Sequence, residues 1–106
     1  MAIHGYNDYS NSFKIPAEYL SKSNIFTFSF DLDGFGRNDN SSFWFPLSVH
    51  KQVIKEELLK LKKQYPKKKI ILLGESMGGA IITSLMTNDR ELPIDGAVLV
   101  APAMWN

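Results

Sequence analysis

Apolar residues in this chain come in short dense runs, and the runs change period along its length. Asn24 to Leu32, "NIFTFSFDL", is rich in Phe and Ile and predicts a buried strand. Asp31 to Ser42, "DLDGFGRNDNSS", predicts a loop from its Gly, Asn, Asp and Ser content. In "LSVHKQVIKEELLKLKKQY" the positions Leu47, Ile54, Leu58, Leu61 and Tyr65 form one apolar stripe at helical spacing, with lysines and glutamates between, and Pro66 ends it. "KKIILLG" and "DGAVLVAPA" are continuous apolar runs, as expected of strands covered on both faces, and "SMGGAIITSLMTND" between them has a helical period. "NSFKIPAEYLSKS" is a further, weaker helical stretch with Pro16 near its first turn.

Strands alternating with helices predict an α/β fold, a mostly parallel sheet flanked by helices. In such sheets, ligands sit beyond the carboxyl ends of the strands. That edge would gather the loops after Ile3, after Asp31 and at Gly74 to Ser76, with a fourth after Ala101. The chain has no internal repeat or linker, so residues 1–106 are read as a single domain.

Composition narrows the function classes. A net charge of +1 gives no electrostatic case for nucleic acid, and no apolar stretch approaches the roughly 20 residues of a membrane span. The amino terminus has no secretory pattern and there is no cysteine, which together predict a cytoplasmic location and exclude disulfides and thiol catalysis. His, Asp and Glu do not cluster at metal-ligand spacing, so no metal is expected.

The candidate chemistry lies in Gly74-Glu75-Ser76-Met77-Gly78, a G-x-S-x-G stretch between a strand and a helix. Glycines at 74 and 78 remove side chains that would collide across a sharp turn, letting Ser76 project its hydroxyl at a helix amino terminus. The alternative is a tight strand-to-helix connection without chemistry. "HGYND", His4 to Asp8, follows a short strand ending at Ile3; there Gly5 would let the backbone bend so that the amides of Tyr6 and Met77 face one oxygen. The alternative for Gly5 is plain loop flexibility. "KKQYPKKKI" reads as a solvated helix end, Glu75 as an exposed elbow residue, and Phe43, Trp44 and Phe45 as either an acyl-pocket lining or loop anchors.

"HGYNDYS", "FDLDGFGR", "LLGESMGGA" and "VLVAPA" occur in the order and at about the spacing found in α/β-hydrolases. More narrowly, the chain resembles the monoglyceride lipase, lysophospholipase and serine aminopeptidase S33 group. The resemblance implies a partial α/β-hydrolase fold, truncated at both ends, and cofactor-free hydrolysis of an ester or lipid. It also implies Ser76 as nucleophile, Tyr6 and Met77 as backbone oxyanion donors, and His4, Gly5, Gly74 and Gly78 as supporting residues.

The chain departs from the group's pattern at Asp33, where arginine is usual, and at Asn38, where serine is usual. In the group, an acid and a histidine follow the nucleophile. After Ser76 this chain has only Asp89, Glu91 and Asp95, expected on the far side of the sheet, and no histidine. His4 belongs to the H-G motif, and His50 is expected near the start of its helix, facing solvent or a neighbouring loop. The expectation is therefore a serine hydrolase fragment with negligible turnover alone, completed by a second chain or further residues. The other reading is a non-catalytic remnant or interaction module on the same scaffold.

Overall fold

The computed structural model describes residues 1–38 and 44–104; Phe43 of the aromatic run lies outside them. The sheet has three parallel strands in the order β1 (Ala2–Ile3), β2 (Ile71–Glu75), β3 (Gly96–Val100). Ile3 pairs with Gly74 and Gly74 with Leu99, so the carboxyl ends of all three strands lie level. Around the sheet are α1 (Lys14–Ser21), preceded by a 3-10 turn at Ser10–Phe13, α2 (Leu47–Gln64) and α3 (Met77–Asn88).

One face of the sheet carries the core. Ile3, Leu32 and Leu72 meet Ile54 and Leu58 of α2 and Ile81, Ile82 and Leu85 of α3 in one buried cluster. Each such side chain contributes about 1.5–3 kcal/mol when fully buried, which is what fixes two helices on so short a sheet. Met77, Ile81, Ile82 and Leu85 recur at helical spacing, so α3 turns one apolar face inward.

The inward stripe of α2 differs from the one expected. His50, Ile54 and Leu58 are buried, with Leu61 packed against the core, while Leu47 and Tyr65 are exposed at the helix ends. His50 therefore faces the interior and not solvent, because steps of four from it reach Ile54 and Leu58.

Two strand expectations also need correction. Residues 24–32 form no strand; they touch the sheet through a parallel bridge of Ser29 to Ala2 and a bond from the Ala2 N–H to the Phe28 carbonyl (2.8 Å). Asn24 turns with φ 59°, and Phe26 is 96% exposed, so this stretch is not a buried strand. A ladder needs a partner along its length, and β1 offers two residues. β2 and β3 are also not covered on both faces. Ile71, Val98, Leu99 and Val100 are exposed; β3 is an edge of the described sheet, and its successive residues 98–100 are open on both faces. Among the described residues no helix is long and apolar enough to cross a membrane.

Candidate active site

β2 ends at Glu75, and Ser76 turns the chain directly into α3 with φ 50° and ψ −112°. A non-glycine residue in this region costs on the order of 1–3 kcal/mol, so the surroundings must hold it there. Three backbone bonds do. The Ser76 N–H donates to the Val100 carbonyl (2.9 Å), and its own carbonyl accepts from the Ala80 (3.1 Å) and Ala103 (2.9 Å) N–H groups. The Ser76 side chain makes no capping bond to the helix.

The glycines show why no larger residue fits. A Cβ on Gly74 would stand 2.7 Å from both the Gly79 nitrogen and Cδ1 of Ile82, and 2.8 Å from the Gly78 carbonyl carbon. A Cβ on Gly78 would run into the carbonyl oxygen of Ile3 and stand 2.8 Å from that of His4. The constraint at Gly74 is thus across the turn, as expected, but at Gly78 it is the neighbouring strand. Gly79 is similarly closed, with a Cβ there only 2.9 Å from Cβ of Pro102.

The loop after β1 comes over the serine. A Cβ on Gly5 would lie 3.3 Å from Cβ of Ser76 and 4.0 Å from its Oγ, so the H-G segment passes at van der Waals distance. His4 holds that segment down. Its ring is fully buried; Nδ1 bonds the Gly5 carbonyl (2.8 Å), and Nε2 accepts the Leu32 N–H (3.0 Å). These two bonds require the Nδ1–H tautomer and leave neither ring nitrogen free for another partner. Among the described residues no acceptor pairs with the N–H of Tyr6 or of Met77, the latter being a first-turn amide without an intrahelical partner. The Tyr6 ring is 55% exposed, edge-on to Phe35 at 5.6 Å and 6.0 Å from Trp44. Trp44 itself is exposed, while Phe45 lies against His50 at 6.4 Å.

Asp31 turns out to position this edge, a role its sequence context did not reveal. Its carboxylate accepts the Ser10 N–H (2.8 Å) through Oδ1 and the Arg37 N–H (2.9 Å) through Oδ2, tying the loop after β1 to the glycine loop. Asn38 closes the same loop, its side chain donating to the Asp31 carbonyl (2.6 Å) and its carbonyl accepting from Gly34 (2.9 Å). Partial burial pushes the Asp31 carboxyl up, but the Arg37 and Ser10 donors and the nearby His4 outweigh it and hold the carboxyl below its ordinary 3.8. A folded-state value below the unfolded one stabilises the fold above the ordinary value, and that stabilisation is lost as pH falls through the lowered one. Asp31→Asn is therefore expected to flatten the acid limb of a stability-versus-pH curve below about pH 4 and to lower stability at neutral pH, read by urea melts at each pH.

The remaining acids stand elsewhere. Asp89 pairs with Lys55, and Asp95 accepts the Ile70 N–H (2.8 Å) at the amino end of β2, opposite Ser76. Glu91 is exposed and Glu75 half-buried. Among the described residues no three His, Asp or Glu side chains gather as a metal would require. An open groove of about 750 Å³ is lined by Tyr9, Phe13, Ser29, Asp31 and Arg37, and Ser76 is not among its walls.

A strand-to-helix elbow bearing serine, overlaid by an H-G loop at the carboxyl edge of a parallel sheet, is the middle of an α/β-hydrolase fold. Two solved structures share it. A monoacylglycerol lipase from Paleococcus ferrophilus superposes with a TM-score of 0.83 at 22% identity, over 99% of this chain and 38% of its own. An extracellular α/β-hydrolase from a Paenibacillus species, titled as sharing structural and functional homology with tobacco salicylic acid binding protein 2, gives 0.75 at 21% identity, over 99% and 40%. The chain belongs to the serine aminopeptidase S33 family, whose profile matches residues 1–106. Rat (Rattus norvegicus) monoglyceride lipase is 28% identical over 103 residues, 93% of this chain and 33% of the lipase, so the chain spans about a third of that relative.

Proposed function

We propose that this chain carries the nucleophile and oxyanion half of a serine hydrolase acting on carboxylic esters of the monoacylglycerol or lysophospholipid type. Ser76 is the nucleophile, and the amides of Tyr6 and Met77 receive the negative charge that develops on the carbonyl oxygen. The observation that carries this reading is the strained Ser76 backbone, braced by Val100, Ala80 and Ala103 and roofed by Gly5. Strain of that kind is costly, and a plain connection between strand and helix does not need it.

A serine hydroxyl attacks poorly without a base. His4 has both nitrogens engaged, His50 is buried among aromatic rings, and Asp89 and Asp95 are bonded away from Ser76. Among the described residues neither histidine is a free base beside Ser76, so on this reading the base is supplied from outside residues 1–106, either by the same polypeptide or by a second chain. The exposed apolar residues of the edge strand β3 and the exposed Phe26 support such a completion, since each offers apolar surface for further packing.

Fluorophosphonate labelling and p-nitrophenyl ester hydrolysis test the reading. Residues 1–106 alone are expected to give negligible labelling and turnover. Addition of a histidine- and acid-bearing segment from a monoglyceride lipase relative is expected to restore labelling at Ser76. Robust turnover by the isolated chain, or labelling at another residue, contradicts it.

A further inference from the structure

His50 is buried on the inward stripe of α2, and among the described residues its Nδ1 has no hydrogen-bond partner. Its ring lies 6.3 Å from Phe35 and 6.4 Å from Phe45. Phe35 in turn stands edge-on to His4 at 5.4 Å and to Tyr6 at 5.6 Å. A row of aromatic contacts thus runs from the helix core to Tyr6, in the loop that passes over Ser76 at Gly5. A neutral imidazole fits that row as an aromatic plate. An imidazolium would place a charge among phenyl rings with no acceptor at Nδ1, which is costly in an apolar site.

We propose that His50 is a positioning residue for the oxyanion loop: its neutral ring seats Phe35 beneath Tyr6, and its protonation unseats Phe35 and releases the loop carrying the Tyr6 amide. The coupling between His50 and the loop stands on packing alone; only its catalytic consequence rests on the hydrolase reading. The charged and titratable groups around His50 are Asp33 from the glycine loop, which favours the imidazolium, and His4 from the end of β1, which opposes it. Tyr6 stands beyond Phe35, and Lys51, next along α2, is engaged with Oγ of Ser84 (3.4 Å). Burial outweighs Asp33 and lowers the His50 pKa from its ordinary 6.5. A lowered histidine keeps the closed arrangement stable above the ordinary value, and that stability drains away as pH falls below it.

The test is site-resolved amide exchange and imidazole NMR on the full chain from about pH 7.5 to about pH 5. In the wild type, protection of the Asp8 amide, which donates to the Gly5 carbonyl (3.3 Å), and of the Phe35 amide, which donates to the Leu32 carbonyl (3.0 Å), is expected to fall about tenfold beyond the intrinsic trend, at the midpoint of the His50 ring signals, while Leu72 and Ile82 stay protected. His50→Phe, which keeps an aromatic plate, is expected to hold the Asp8 and Phe35 amides protected across the range. His50→Gln serves as the second non-titrating variant should the first fail to fold. The proposal is overturned by unchanged Asp8 and Phe35 amides while His50 titrates, by both amides being unprotected at every pH, or by their wild-type profile persisting in the variants. It is equally overturned if Leu72 and Ile82 lose protection at the same midpoint, since that is global unfolding. Failure of the hydrolase reading shows separately, as absent Ser76 labelling in the completed protein with the Asp8 and Phe35 titration intact.

Discussion

Gly78→Ala is expected to cost about 3 kcal/mol or more, enough to leave much of a small domain unfolded. The added methyl would run into the carbonyl oxygen of Ile3, with the carbonyl of His4 only 2.8 Å away. Neither atom can swing aside as a side-chain tip can. Both belong to the β1 end and the H-G turn, and moving them breaks the pairing of Ile3 with Gly74 and the bond from Nδ1 of His4 to Gly5. Gly96→Ala is the matched control, because its Cβ would meet the movable Cδ1 of Ile71 at 3.3 Å. It should change stability by under about 1 kcal/mol. Urea melts of the two variants measure the contrast, and equal losses would contradict a role for close strand-to-helix approach at Gly78.

Substitution at Ser76 should move activity and stability in opposite directions. With the completed protein, Ser76→Gly is expected to lower ester turnover by at least about a thousandfold, because the attacking oxygen is gone. The same change relieves a backbone held at φ 50° and ψ −112°, a conformation glycine adopts without penalty. Relief of about 1–3 kcal/mol, less the extra chain entropy glycine loses on folding, leaves a net gain of about 1 kcal/mol. Ser76→Ala should lose the same activity without the stability gain, since alanine keeps the Cβ. A Ser76→Gly variant no more stable than Ser76→Ala would mean that the elbow stores no strain. The pair separates chemistry from conformation at one position.

The elbow was legible because its chemistry is local. Gly74, Ser76 and Gly78 stand within five residues, flanked by apolar runs of the right kind, so strand, turn and helix follow from sequence order. The H-G pair was legible for the same reason. Asp31 was not, since its partners at Ser10 and Arg37 lie 21 and six residues away, and nothing in "FDLDG" says which amides a carboxylate will find. Nor was Ala103, whose N–H braces the Ser76 carbonyl from the far end of β3. Of the two placements the sequence left open for His50, solvent or a neighbouring loop, the structure has the second, with Phe35 and Phe45 against the ring. Its burial on the α2 stripe was hidden because Leu47 suggested a stripe origin three residues too early. The stretch at 24–32 was misjudged as a buried strand because apolar content measures a wish for cover, while a ladder requires a neighbour of matching length.

By itself the sequence determined the strand, sharp turn and helix around Ser76, the helix at 47–64 and the family pattern that surrounds them. Those are set by residue size, backbone freedom and hydrophobic period within a few positions. Only the tertiary structure decided that Gly78 answers to β1, that His4 is fully engaged, that His50 sits inside an aromatic row and that Asp31 ties two loops together. Each of those depends on which distant backbone groups and rings arrive within a few ångströms, and short-range sequence pattern carries no record of that.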